Sequence, residues 1–167
     1  MKISKVFTEQ SIYYLSLNLP RIEKCLAQLT ENQVWIKPNA NTNSIGNLIL
    51  HLCGNITQYA HSSLGNDKDV RNRDQEFSIK GGFTKKELLE KITSVTNKAI
   101  EVIEKISDSE LTRRRKVQGF NYSGISIIIH ITEHFSYHVG QIAFITKQFC
   151  NKDLGFYEDF DLNILNE

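Results

Sequence analysis

Apolar residues recur at steps of three and four along four stretches of the chain, with polar sequence between them. In the first stretch Ile12, Leu15, Leu19, Ile22, Cys25, Leu26 and Leu29 keep this spacing, which predicts a helix from about Lys5 to Leu29 with one buried face. Pro20 falls inside it and should kink it, because proline donates no N–H and crowds the carbonyl four residues earlier. The second stretch opens at Asn43 or Ser44, either of which can cap a helix, and carries Ile45, Leu48, Leu52, Ile56 and Tyr59 on to about Ser63. Thr84 and Glu87 make the T-x-x-E pattern of a capping box ahead of Leu88, Leu89, Ile92, Val95, Ile100 and Ile103, so a third helix should end near Ser107. The fourth runs from about Gly124 to Cys150.

Between the second and third helices lies "LGNDKDVRNRDQEFSIKGGF", polar and without a sustained period. Connections this long that lack structure of their own are uncommon and often functional. Only the basic piece "TRRRKVQGFNYSG" could form a hairpin; nowhere else do alternating positions compete with the helical pattern. The expected fold is therefore all-α: a single domain over residues 1–167, built as a four-helix bundle with a long connection between helices 2 and 3.

Composition narrows the function. Twenty Lys plus Arg against 19 Asp plus Glu leave a formal charge of +1, too little to gather nucleic acid or an anionic membrane at long range. The run from Arg113 to Lys116 has no interleaved aromatic platform and reads as a solvated turn. No apolar run reaches the ~20 residues of a membrane span, and the opening "MKISKVFTEQSIYY" lacks a signal-peptide core, so a cytoplasmic location is expected. Cys25, Cys53 and Cys150 are odd in number and widely spaced, which predicts reduced structural thiols.

The candidate chemistry lies in "HITEHFSYHVGQI". A helix turns ~100° per residue, so with His134 at 0°, His138 lies at about +40° and His130 at about −40°. The same arithmetic sets Ile127, Ile131 and Ile142 near them, so the three histidines should run along the buried stripe. Unpartnered imidazoles there would be costly, and they call for hydrogen bonds, a metal or a water-filled pocket. His51, at the margin of the second helix's apolar face, could meet the fourth helix and complete a three-nitrogen site. Spacing alone leaves two readings open, a metal site or satisfied core histidines. His61 shows no clear apolar face and is expected at the surface.

At these residues the sequence resembles the DinB-like, or YfiT-like, superfamily of metal-dependent bacterial proteins. The resemblance rests on "NSIGNLILHLCGNI", "VRNRDQEF" and "HITEHFSYHVGQI", and it points to a branch whose function is unassigned. It implies a four-helix bundle, often dimeric, with a divalent metal, zinc or nickel, held by His51, His134 and His138, and a small-molecule substrate. Some members are transferases or isomerases that use a low-molecular-weight thiol, and others are described as hydrolases. Members with the thiol-transferase activity tend to read His-Arg-Gly-Gln, whereas this chain reads His138-Val139-Gly140-Gln141. His130 could support the site, act as an acid or base, or only fill the core. Tyr137 and Gln141 could line a pocket, and Arg71 and Arg73 could clamp a carboxylate or pair with Asp69, Asp74 and Glu76. Gly140 and Ala143 would permit close helix approach in a homodimer.

Overall fold

The computed structural model describes residues 2–166. Its elements follow in the order α1 (Ile3–Ser16), α2 (Asn18–Ala27), α3 (Glu31–Trp35), α4 (Ile45–Ile56), a π-helical turn (Thr57–Ser62), α5 (Arg73–Ser78), α6 (Lys85–Glu104), α7 (Asp108–Thr112), β1 (Arg114–Val117), β2 (Phe120–Ser123) and α8 (Gly124–Cys150). The four long helical stretches read from the sequence are all present. The first is broken at Leu17 rather than bent at Pro20. That break falls next to Ser16, the residue whose carbonyl the Pro20 ring would strike in a continuous helix.

The caps carry the boundaries. Ser44 accepts from Asn47 N and Thr84 from Glu87 N, and each residue of the pair also receives the reciprocal side-chain contact. Ser123 accepts from Ser126 N and opens α8, which ends at Asn151 in the left-handed region at φ 49°. The basic piece does form a hairpin, with Arg114 opposite Ser123 and Val117 opposite Phe120. Arg113 and Arg115 pair with Glu110 across its base.

Leu15, Ile22 and Cys25 from the first pair of helices, Leu52 and Ile56 from α4, Leu88, Ile92 and Ile103 from α6, and Ile127, Ile131, Phe135 and Ile142 from α8 meet in one core. Each such side chain contributes roughly 1.5–3 kcal/mol when fully buried. α4 is the central helix, and of its residues Gly54 alone is not buried. This burial on every side has a local cause: the long connection is docked rather than loose. Asn47 Nδ2 donates to the carbonyls of Glu76 (2.9 Å) and Ile79 (2.7 Å), and Trp35 Nε1 donates to Phe83 O at 3.1 Å. Trp35 lies so close over Gly46 that a Cβ there would sit 2.6 Å from its ring.

His61 is not at the surface. It is 5% exposed, and its Nε2 donates to Val95 O at 2.9 Å. On a regular α-helix it would lie on the side of the helix opposite Leu52, but the wider winding of residues 57–62 delays the turn and swings the ring against α6. Burial pushes its pKa down. Cys25 and Cys53 are buried, Cys150 is half-buried, and none is bonded to another. No helix among the described residues is long and apolar enough to cross a membrane.

Candidate metal centre

α8 does not bury the stripe that the histidines mark. Its buried residues, among them Ile128, Ile131, Phe135, Ile142 and Thr146, centre about 80° around the helix from His134. The expectation that all three histidines lie along the buried stripe is therefore corrected. They lie along its edge, with His138 buried and His130 and His134 half-buried. The cause is tertiary: α4 and the connection cover that edge of α8, and no such cover can be read from α8's own period.

Across the edge stands His51 of α4, whose ring also packs against Phe77 of α5. His51, His134 and His138 each offer a nitrogen within 4.8 Å of the others', and the Nε2 atoms of His51 and His134 are 3.0 Å apart. Two imidazole nitrogens at that separation need a proton or a cation between them, because two facing lone pairs repel. The outer nitrogens decide which lone pairs face inward. His51 Nδ1 donates to Glu76 Oε2 at 2.9 Å, since a carboxylate can only accept, and His138 Nδ1 donates to Gln141 Oε1 at 2.7 Å. Gln141 in turn donates to Tyr137 Oη at 3.3 Å. The neutral tautomers so fixed leave Nε2 of both residues as the lone-pair nitrogen.

Burial together with the neighbouring histidine charges pushes the pKa of His134 down to about 3, and burial also lowers that of His138. Both rings are thus neutral at pH 7, the form in which imidazole binds a metal. A set of three imidazole nitrogens, one of them backed by a carboxylate, suits zinc or another divalent transition metal. By donor chemistry the site fits such an ion.

Behind His51 the support is ionic. Glu76 is 8% exposed and accepts from Arg71 Nε at 2.7 Å and Arg71 Nη2 at 2.9 Å as well as from His51. Arg71 Nη1 donates to Gln58 Oε1 at 2.9 Å. Its Nη2 also comes within 3.2 Å of His51 Nδ1, but that amine already donates to Glu76 at the shorter distance. Burial alone would raise the Glu76 pKa, yet the hydrogen bonds and charges of Arg71 and His51 outweigh it and hold the carboxyl below its usual range. Gly54 makes room for this: a Cβ there would collide with Glu76 Oε1 and lie 3.0 Å from Arg71 Nε. Arg71 is thus a structural partner and not a free clamp. Arg73 instead covers the Phe77 ring at 4.9 Å, and Phe77 lies 4.7 Å from the His51 ring.

His130 stands apart from the three. Its Nε2 meets Asn55 Nδ2 at 3.2 Å, one turn along from the His51–His134 pair, and its ring stacks on Tyr59 at 4.2 Å and on His134 at 5.2 Å. Glu76, Asn55 and Tyr59 had not been read from the sequence as part of this surround. One signal could have found Glu76: an unexplained glycine inside a strongly helical stretch, Gly54, marks a close approach by something else.

The fold and the site together define a helical bundle with a cluster of three histidines at one edge of its core. Residues 2–157 match the family described as "Protein of unknown function (DUF1572)", and the chain belongs to it. Among solved structures, a conserved protein from Enterococcus faecalis is similar at a TM-score of 0.73 and 15% identity, covering 91% of this chain and 99% of that one. A DinB-like protein from Bacillus subtilis, YjoA, gives a TM-score of 0.65 at 15% identity, covering 86% and 94%. No curated protein matches the sequence. The DinB-like resemblance is thus borne out in the fold.

Proposed function

We propose that the protein is a divalent-metal-dependent enzyme acting on a small molecule, with His51, His134 and His138 as metal ligands and zinc or nickel as the ion. A metal held by three neutral imidazoles lowers the pKa of a bound water or low-molecular-weight thiol, which would supply a nucleophile near neutral pH for a hydrolase or a transferase. The observation that carries the reading is the pair of outer hydrogen bonds, His51 Nδ1 to Glu76 and His138 Nδ1 to Gln141, which orient lone pairs toward one point. The protein's own part is to hold these tautomers, keep His134 neutral and exclude bulk water from two of the three rings. Val139 in the place of arginine favours the hydrolytic branch over the thiol-transferase one. The internal pairing of Arg113 and Arg115 with Glu110 supports a role without nucleic acid, and the absence of a membrane-length helix among the described residues supports a cytoplasmic one. Exposed Ile129, Tyr137 and Phe144 on α8, beside Gly140, offer a face on which a homodimer could form.

A second reading has an observation in its favour. His51 and His138 are only 6% and 8% exposed, which also suits a metal held for structure without turnover. Metal content of untagged protein, measured against His134→Ala, tests the shared premise: about one ion per chain in the wild type and a loss in the variant are expected. Equal trace metal in both proteins would overturn it. Turnover of simple esters or amides, or of a thiol with an electrophile, by the metal-loaded protein and its abolition in His51→Ala separate enzyme from structural site. A lowered melting temperature alone, with no substrate turned over, favours the latter.

A further inference from the structure

On the far side of the Arg71–Glu76 pair from the histidines, α4, α5 and α6 line an open cleft of about 320 Å³, at the small end of ordinary ligand sites. Part of its wall is apolar: Leu50 from α4, Ile79 and Phe83 from the connection and Val95 from α6. Cys53 belongs to the same wall. Burial pushes its thiol up to about 12, with the charge of Lys91 acting against that rise, so it stays protonated and behaves as an apolar group.

The polar groups facing the cleft are unevenly committed. The Arg71 guanidinium is spent on Glu76 and Gln58, and Glu76 is itself spent on Arg71 and His51. Lys91, by contrast, is exposed, makes no ion pair among the described residues and lines the same space. The amide nitrogen of Asn72 is free, its oxygen being the cap of α5, and Asn72 lines the same space. One uncommitted cation, with the neutral donors Asn72, Gln75 and Thr57 beside an apolar strip of wall, matches a monoanion with an apolar body. A phosphate dianion would meet only this one free cation and has no hydrocarbon to cover the apolar part of the wall.

We propose that this cleft is a second ligand site, distinct from the three histidines, which takes a small aliphatic monocarboxylate with its hydrocarbon against Leu50, Ile79, Phe83 and Val95 and its carboxylate at Lys91. The proposal stands without any metal. The occupant would lie against the back of the ion pair that supports His51, so it would also stiffen that support.

The test uses chelator-treated full-length protein and amide NMR titration with hexanoate, hexanamide and inorganic phosphate. Hexanoate should shift signals from residues 70–79 and 91–95 saturably, while hexanamide and phosphate at the same concentrations should not. Lys91→Gln, an exposed position that keeps the fold, should weaken hexanoate roughly tenfold through the lost charge-assisted hydrogen bond. His138→Ala should leave its affinity within about twofold, as for separate sites. Equal binding of hexanamide, an unchanged affinity in Lys91→Gln, or loss of binding in His138→Ala would overturn the proposal.

Discussion

Replacing Glu76 by glutamine removes one charge and keeps the shape, and it tests whether the acidic residue holds His51, the proposed metal ligand, or only the arginine. In the wild type the two carboxylate oxygens receive His51 Nδ1 at 2.9 Å, Arg71 Nε at 2.7 Å and Arg71 Nη2 at 2.9 Å. The arginine side chain is 3% exposed, so the variant leaves a buried guanidinium without its counter-charge. Breaking a buried pair in this way costs about 3–5 kcal/mol. Glutamine still offers one oxygen, which brings the expectation to the lower figure. Its amide nitrogen, a donor, must face either Arg71 or His51, both of which also donate. If it faces His51, the ring turns over or takes the other tautomer and the inward lone pair is lost, so zinc affinity should fall about 10- to 100-fold. Urea denaturation of chelator-treated protein reads the first effect, and competition with a chromophoric chelator reads the second. The double variant Arg71→Met with Glu76→Gln removes the stranded charge, so it should recover part of the stability and none of the affinity. A zinc affinity within about twofold of wild type, alongside the full stability loss, would refute the role given to Glu76 at His51.

Three further outcomes follow from the same geometry. Gly54→Ala should cost about 1–3 kcal/mol, as for an overpacked core, and should weaken zinc binding as well, because the new methyl group displaces Glu76; an unchanged urea midpoint would show that the approach is not tight. Chelator-treated protein should lose stability as pH falls from about 6.5 toward 3, because the unfolded chain takes up a proton that folded His134 refuses until about 3, and His138 and His61 shift in the same direction. Because His134 keeps partial access to solvent, the slope should stay well under about 1.4 kcal/mol per pH unit for that residue, and a flat urea midpoint between pH 7 and 5 would contradict the assigned shifts. His130→Phe, which keeps the stack on Tyr59 and His134 but loses the contact with Asn55, should leave zinc affinity within about threefold; a loss as large as that of His134→Ala would make His130 a ligand.

How much of this was legible depends on whether the signal is local. Ser44, Thr84 and Ser123 are followed by their helices at the spacing that cap geometry requires, and all three long boundaries lie where those residues put them. The break near Pro20 was legible in kind but displaced, because the proline's conflict is with the carbonyl of Ser16 and not with its own position. α5 was not legible at all. Its six residues are too short to show a period, and isolated segments of that length do not hold a helix unaided. It forms because Asn47, buried beneath it, needs partners for its amide and finds them in the Glu76 and Ile79 carbonyls.

The same distinction explains the site. The i, i+4 pair His134 and His138 shares a face by helical geometry, so the sequence could bring them together without the fold. His51 needed only a facing helix, and α4 packing on α8 provides it. The direction of each imidazole is another matter, for it is set by what lies behind the ring. Gln141 is three residues from His138, within reach of periodicity, whereas Glu76 lies 25 residues from His51 on an element whose existence depends on α4. An acidic residue in a polar, charged connection looks like solvated surface. It becomes a partner of His51 only because Gly54 lets the carboxylate approach and Arg71 offsets the cost of burying it. A reading of separate segments sees Gly54 as a weak point in a helix and Arg71 as a partner for any of three nearby acids. Only their convergence on one carboxylate shows that the connection completes the histidine cluster.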